Sequence, residues 1–155
     1  MSVKIHPEDY NKNHGSLGIK LPINSNKKKS TAELFNLSYT TEEQAVSNYV
    51  NLLLTKSGER YMQPEFGVGL YFYIFENNTG TIKKQLESEI REQASRWLPY
   101  IINDDIIIKD FEEIPGDSKH AINIIIRFRV TESGANKEIQ LYPGLTPGTI
   151  DVEIR

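Results

Sequence analysis

The apolar residues change period once, at Pro99, and that change constrains the fold more than any other feature of the chain. Before it, Ile82, Leu86, Ile90, Ala94 and Trp97 recur every three or four residues, with Lys83, Lys84, Glu87, Glu89, Arg91 and Glu92 between them. Residues at that spacing share one helix face, so the stretch reads as an amphipathic helix from Thr81 to about Trp97 or Leu98. Proline lacks the amide hydrogen a helix needs and pushes the preceding residue out of helical dihedrals, so Pro99 ends it. Beyond Pro99 the period is two. In "AINIIIRFRV", Ile122, Ile124, Ile126, Phe128 and Val130 fall on one face and Asn123, Arg127 and Arg129 on the other, with Ile125 as the exception. That alternation predicts a strand buried on one side.

Other elements follow from local chemistry. "DIIIKDFEEI", Asp105 to Ile114, is strand-like, and "PGDSKH" is a turn, which predicts an antiparallel hairpin with Ala121 to Val130. Glu138 to Tyr142 gives a third strand after the turn "ESGANK". Thr40 with Glu43 three residues later has the capping-box pattern, in which each side chain accepts from a backbone N–H at a helix start. Val46, Tyr49, Val50 and Leu53 continue at helical spacing, which predicts a helix over 41–56 with Gly58 as its left-handed C-terminal residue. Residues 1–33 carry scattered apolar positions with neither period and read as an extended arm, with a short strand at Leu17 to Leu21. The fold class expected is α+β: two main helices packed on one face of a mostly antiparallel sheet, preceded by an extended N-terminal arm.

Composition narrows the function classes. At 155 residues the chain fits one core, and 25% charged with 38% apolar residues favours a folded domain over disorder. A net charge of -3 gives no overall attraction to nucleic acid or anionic lipid, and Lys27-Lys28-Lys29 reads as a solvated loop. No run reaches the ~18 to 20 apolar residues of a membrane span, and Met1 to Pro22 lacks the apolar centre of a secretion signal. The absence of cysteine excludes disulfides. The expectation is therefore a cytosolic protein with no nucleic acid or membrane partner.

Chemistry is sparse. His6, His14 and His120 lack metal-ligand spacing, Gly67-Val68-Gly69 is not followed by the residues of a phosphate loop, and no serine-nucleophile motif is present. Glu59, Glu65, Glu76, Asp104 and Asp105 are the carboxylates that a glycoside hydrolase pair would draw on. No catalytic residue, cofactor or metal is expected from these patterns.

The most distinctive stretch is "LLLTKSGERYMQPEFGVGLYFYIFE", Leu52 to Glu76. Leu53, Leu54, Thr55, Gly58, Glu59, Arg60, Pro64, Glu65, Phe66, Gly67, Leu70, Phe75 and Glu76 follow an order in which a helix ends, a G-E-R turn and a P-E-F-G loop follow, and an aromatic run closes on F-E. In this the chain resembles the baseplate wedge family of contractile tails typified by gene product 25 of the large coliphages, whose relatives also serve type VI secretion. The resemblance covers about residues 34–143, which makes 144–155 a C-terminal extension ending in a strand.

That resemblance implies a structural, non-enzymatic subunit of a virion tail baseplate, assembled in the host cytoplasm. Its partners would be other wedge proteins, through their helical core bundle, and the first ring of tail sheath, whose extended arms would add to its sheet as strands. A lysozyme-like hydrolase of the baseplate is the rival implication, and an adaptor of the same fold a third. Relatives usually end the second helix in E-P-R, where this chain has Leu98, Pro99 and Tyr100. Any contact made by those two charges is therefore lost or replaced by Trp97 and Tyr100. The expected partner-binding residues are Arg60, Pro64, Glu65, Phe66, Gly67, Trp97, Pro99 and Tyr100, with Ile150, Val152 and Ile154 of the final strand. Phe66 faces either the core, which its apolar character favours, or an interface. The final strand, Thr149 to Arg155, either docks on its own sheet or is given to a neighbour.

Overall fold

The computed structural model describes residues 15–21, 36–74, 80–110, 122–131, 133–144 and 149–155. Two short strands, β1 (Gly18–Ile19) and β2 (Leu37–Ser38), pair antiparallel and lead into helix α1 (Thr41–Leu54). A loop, the short helix α2 (Leu70–Ile74) and helix α3 (Gly80–Trp97) follow. The chain then forms β3 (Ile101–Asp110), β4 (Ile122–Val130), β5 (Asn136–Pro143) and β6 (Ile150–Ile154). These four strands make one antiparallel sheet in the order β3-β4-β5-β6. The architecture is α+β. No helix among the described residues is long and apolar enough to cross a membrane.

Helix α1 begins as its cap dictates. Thr40 Oγ1 accepts from the Glu43 N–H at 3.2 Å, and the Glu43 carboxylate accepts from the Tyr39 N–H at 3.1 Å, one residue before the cap itself. Its other end departs from expectation. The helix closes at Leu54, with extended Thr55 as cap, and not at Lys56 with Gly58 behind it. The reason is tertiary: the returning loop supplies Val68 N–H to Leu52 O at 3.0 Å and Gly69 N–H to Thr55 O at 2.8 Å. These donors satisfy carbonyls that a local glycine cap would otherwise serve. Gly58 does take a positive φ of 93°, but inside the loop that follows.

One core joins both main helices to the inner face of the sheet. Leu86, Ile90 and Ala94 of the α3 stripe are buried, as are Ile122, Ile124, Ile126, Phe128 and Val130 of β4. Tyr49 of α1 meets Phe128 edge to face with ring centroids 5.0 Å apart, so α1 and α3 cover the same side of the sheet. The Tyr49 hydroxyl donates to Asn103 Oδ1 at 2.6 Å, and burial raises its pKa far above the ordinary value.

Strand β3 starts four residues earlier than the sequence pattern predicts. Ile101 and Ile106 are both buried although an odd number of positions separates them, which a regular strand forbids. The register shift between Asn103 and Asp105 resolves this. One extra residue, Asp104, is bulged out and returns the later isoleucines to the core. Ile125, the exception to the alternation of β4, lies half-buried on the outer face opposite Ile107. The expected turn "PGDSKH", the end of the first hairpin strand at 111–114 and the Lys27-Lys28-Lys29 run fall outside the described residues. β5 extends one residue beyond the expected 138–142 at its end and two at its start.

Candidate functional site

The conspicuous motif between α1 and α2 folds into a loop held by its own backbone. Pro64 O accepts from the Gly58 N–H at 2.7 Å and the Ser57 hydroxyl at 3.0 Å. The Gln63 and Phe66 N–H groups reach Arg60 O and Gln63 O, both at 3.1 Å, and the Glu59 carboxylate accepts from the Lys56 N–H at the same distance. Gly67 and Gly69 have φ of 109° and 67°, conformations that side chains disfavour. Each also lies against the end of α1, Gly67 over Thr55 and Gly69 over Lys56.

Phe66 and Glu65 fix this loop to α3, and Arg60 covers Phe66. Phe66 is 6% exposed and meets Trp97 edge to face at 5.5 Å. The Arg60 guanidinium lies 3.6 Å from the Phe66 ring centroid and donates to Gln63 Oε1 at 3.2 Å. Glu65 forms an ion pair with Arg96, whose guanidinium is also near the Trp97 ring. A cation over an aromatic face is attracted by the ring quadrupole, and edge-to-face rings are the favoured pairing, so the stack Arg60–Phe66–Trp97 is both apolar and electrostatic. Phe66 therefore faces inward, and Gly67 is buried beside it. Trp97 Nε1 and Gln93 Oε1, one turn apart on α3, are buried without hydrogen-bond partners among the described residues.

The structure thus brings Arg60, Pro64, Glu65, Phe66, Gly67 and Trp97 together. Pro99 is exposed at the turn into β3, where the Ile101 N–H reaches Leu98 O at 2.9 Å. Tyr100 is half-buried, and its hydroxyl accepts from Asn48 Nδ2 at 2.9 Å while its carbonyl accepts from the Thr131 N–H at 2.9 Å. It braces α1, the start of β3 and the end of β4. Ile150, Val152 and Ile154 are on β6, away from the loop, and dock on β5 of the same chain.

Sequence reasoning passed over Tyr61 and Met62, 96% and 87% exposed at the loop apex, and Tyr71 and Phe72, an exposed edge-to-face pair on α2 with Lys56 Nζ 4.1 Å from the Phe72 centroid. Apolar residues without a period carry no sign of exposure. For Tyr61 and Met62 the one available signal was their place among turn residues.

The carboxylates considered for hydrolysis are tied up. Asp104 pairs with Arg129 at 2.8 Å, Asp105 with Arg127 at 3.9 Å, Glu65 with Arg96, and Glu59 with a backbone N–H. Glu76 lies outside the described residues, as do His6, His14 and His120. No group of three His, Cys, Asp or Glu side chains among the described residues is placed to hold a metal ion.

Comparison with known proteins places this geometry. The family model of baseplate wedge protein gp25 matches residues 40–135, which contain the loop, both main helices and the whole of β3 and β4. Among solved structures, a chain of the anti-feeding prophage baseplate is 22% identical with a TM-score of 0.58, the match covering 77% of this chain and 88% of that one. A putative tail lysozyme from Geobacter sulfurreducens is 24% identical with a TM-score of 0.56, over 72% of this chain and 96% of that one. At these identities the two structures show a shared fold. No curated protein matches the chain.

Proposed function

The chain belongs to the baseplate wedge protein gp25 family, and from that premise we propose that it is a structural wedge subunit joining the wedge core around the tail hub to the first ring of sheath. The observation that carries this reading is the locked loop of residues 56–69. Its backbone bonds, three positive-φ glycines and the Arg60–Phe66–Trp97 stack make a stiff surface at the junction of α1 and α3. A scaffold subunit gains from such stiffness, because association then costs little ordering entropy. In this reading the exposed parts of the loop and the Pro99 turn meet the helical core bundle of other wedge proteins. Phe66, Gly67 and Trp97 support that surface from beneath, and the sheet receives strands from the sheath.

The baseplate of a phage or phage-like tail is the location that family membership supports, with assembly in host cytoplasm as part of the proposal. A lysozyme activity is the second reading, favoured by the description of the Geobacter relative. Hydrolysis needs one carboxyl group kept protonated and another free across a cleft, whereas Asp104, Asp105 and Glu65 each face an arginine. Purified protein should release no soluble peptidoglycan fragments and should co-purify with the other wedge proteins when they are co-expressed. Turnover abolished by Glu59→Gln, Glu65→Gln, Asp104→Asn or Asp105→Asn would replace the scaffold reading with the enzymatic one.

A further inference from the structure

The two faces of the sheet are unlike. The inner face meets α1 and α3, whereas among the described residues no element covers the outer one. Strand register sorts the outer side chains into rows that cross all four strands. Asp105 opposes Arg127, Arg127 opposes Glu138, and Glu138 exchanges backbone bonds with Arg155 just past β6, so this row reads negative, positive, negative, positive. Arg127 ties it together, 3.9 Å from Asp105 and 2.8 Å from Glu138. A second row has charges only at its ends. Lys109 of β3 opposes Asn123, and Asp151 of β6 opposes Tyr142, one step beyond the last pair of the β4–β5 ladder. Lys109 and Asp151 are exposed and have no ion pair among the described residues. Three strand spacings, about 14 Å in all, keep them apart within one chain.

We propose that the outer face is a self-association surface, on which a second copy of the chain stacks its own outer face about a two-fold axis parallel to the strands. Charge complementarity selects both the occupant and the axis. Rotation about a line midway between β4 and β5 sets β3 over β6 of the second copy and β4 over its β5, as in aligned sheets stacked ~10 Å apart. Asp105 then faces Arg155 of the second copy, and Arg127 faces its Glu138. Lys109 and Asp151, unpaired in one chain, meet twice. In the row between, Ile107 faces Glu153 and Ile125 faces Gln140, so no like charges are opposed there. A two-fold axis across the strands would instead set each residue over itself, Arg127 on Arg127 and Asp105 on Asp105, and repulsion excludes it. Any other partner would have to carry the reversed charge series at the same strand spacing; a second copy carries it already. The face is about 20 Å on a side, roughly half the ~800 Å² per partner of a standard interface, and each copy has a net charge of -3. The dimer is therefore weak and reversible, a state of the free subunit at high concentration. It does not depend on the wedge-to-sheath link.

Reversing the two unpaired charges tests the axis. Sedimentation of the full-length parent should show a monomer–dimer equilibrium, the dimer growing as concentration rises toward millimolar. Lys109→Asp alone and Asp151→Lys alone each bring like charges together twice, so each should weaken the dimer at least tenfold. Circular dichroism should stay unchanged, because both side chains are exposed. Asp151→Lys also moves the net charge from -3 to -1. An effect of overall charge alone would therefore strengthen the dimer where local pairing weakens it. Lys109→Asp and Asp151→Lys in one chain restore opposite charges across the axis and should return association to within about threefold of the parent. A parent that stays monomeric over the whole range overturns the proposal. So does a dimer that the single reversals leave intact or that the double reversal fails to restore, and none of these results touches the baseplate role.

Discussion

Gly67 sits so close to Thr55 that a Cβ built on it would lie 2.2 Å from the Thr55 carbonyl oxygen. The same glycine has φ of 109°, so two independent constraints exclude a side chain. Gly67→Ala combines backbone strain with a clash against main chain that cannot move without opening α1. The expected loss is on the order of 3 kcal/mol, measured as a lower urea midpoint. Gly58→Ala provides the control, since its Cβ would meet nothing within 4 Å and only the φ term applies.

Phe66 and Arg60 should separate packing from charge. Phe66→Ala empties a buried site against Trp97, and a loss of about 3 kcal/mol is expected for a large aromatic near the edge of the core. Arg60→Ala leaves the ring in place and should cost less than about 1 kcal/mol. The double variant should reveal coupling of about 0.5 to 1 kcal/mol, read from denaturant melts of the four proteins.

Glu43 links stability to pH. Burial raises its pKa, but the hydrogen bond from Lys20, that from the Tyr39 N–H and the charge of Lys20 outweigh it and hold the group below its ordinary 4.5. A carboxylate whose folded pKa is lowered adds stability that is fully present above its unfolded value and disappears as pH falls through the folded one. The stability difference between the parent and Glu43→Gln should therefore be constant from pH 7 down to about pH 5 and shrink below 4.5. Thr40→Ala, which removes the other half of the cap, should cost about 1 kcal/mol at any pH in that range.

Deleting Gly148–Arg155 should destabilise the protein. Ile150 and Val152 pack against the core, and β6 covers the edge of β5 at Ile139 and Leu141. Loss of the strand uncovers those residues, with a drop in melting temperature and a rise in aggregation as the expected results.

What the sequence settled by itself was local. The Thr40 cap, the α3 stripe, the proline stop at Pro99 and the alternation of β4 each depend on atoms within a few residues. They were legible because the periods of helix and strand are fixed by backbone geometry. The wedge motif was legible too, as a spacing of turn residues. Tertiary structure decided the remainder. Whether Phe66 faced the core depended on Trp97, thirty-one positions away. The end of α1 was set by Val68 and Gly69 reaching back to Leu52 and Thr55, and the early start of β3 needed the bulge at Asp104 to bring Ile101 and Ile106 to one face. The final strand carried the same alternation whether kept or donated. Its pairing with β5 put Ile150 and Val152 against the core. Such outcomes are set by contacts between distant segments, whose energies no local pattern records.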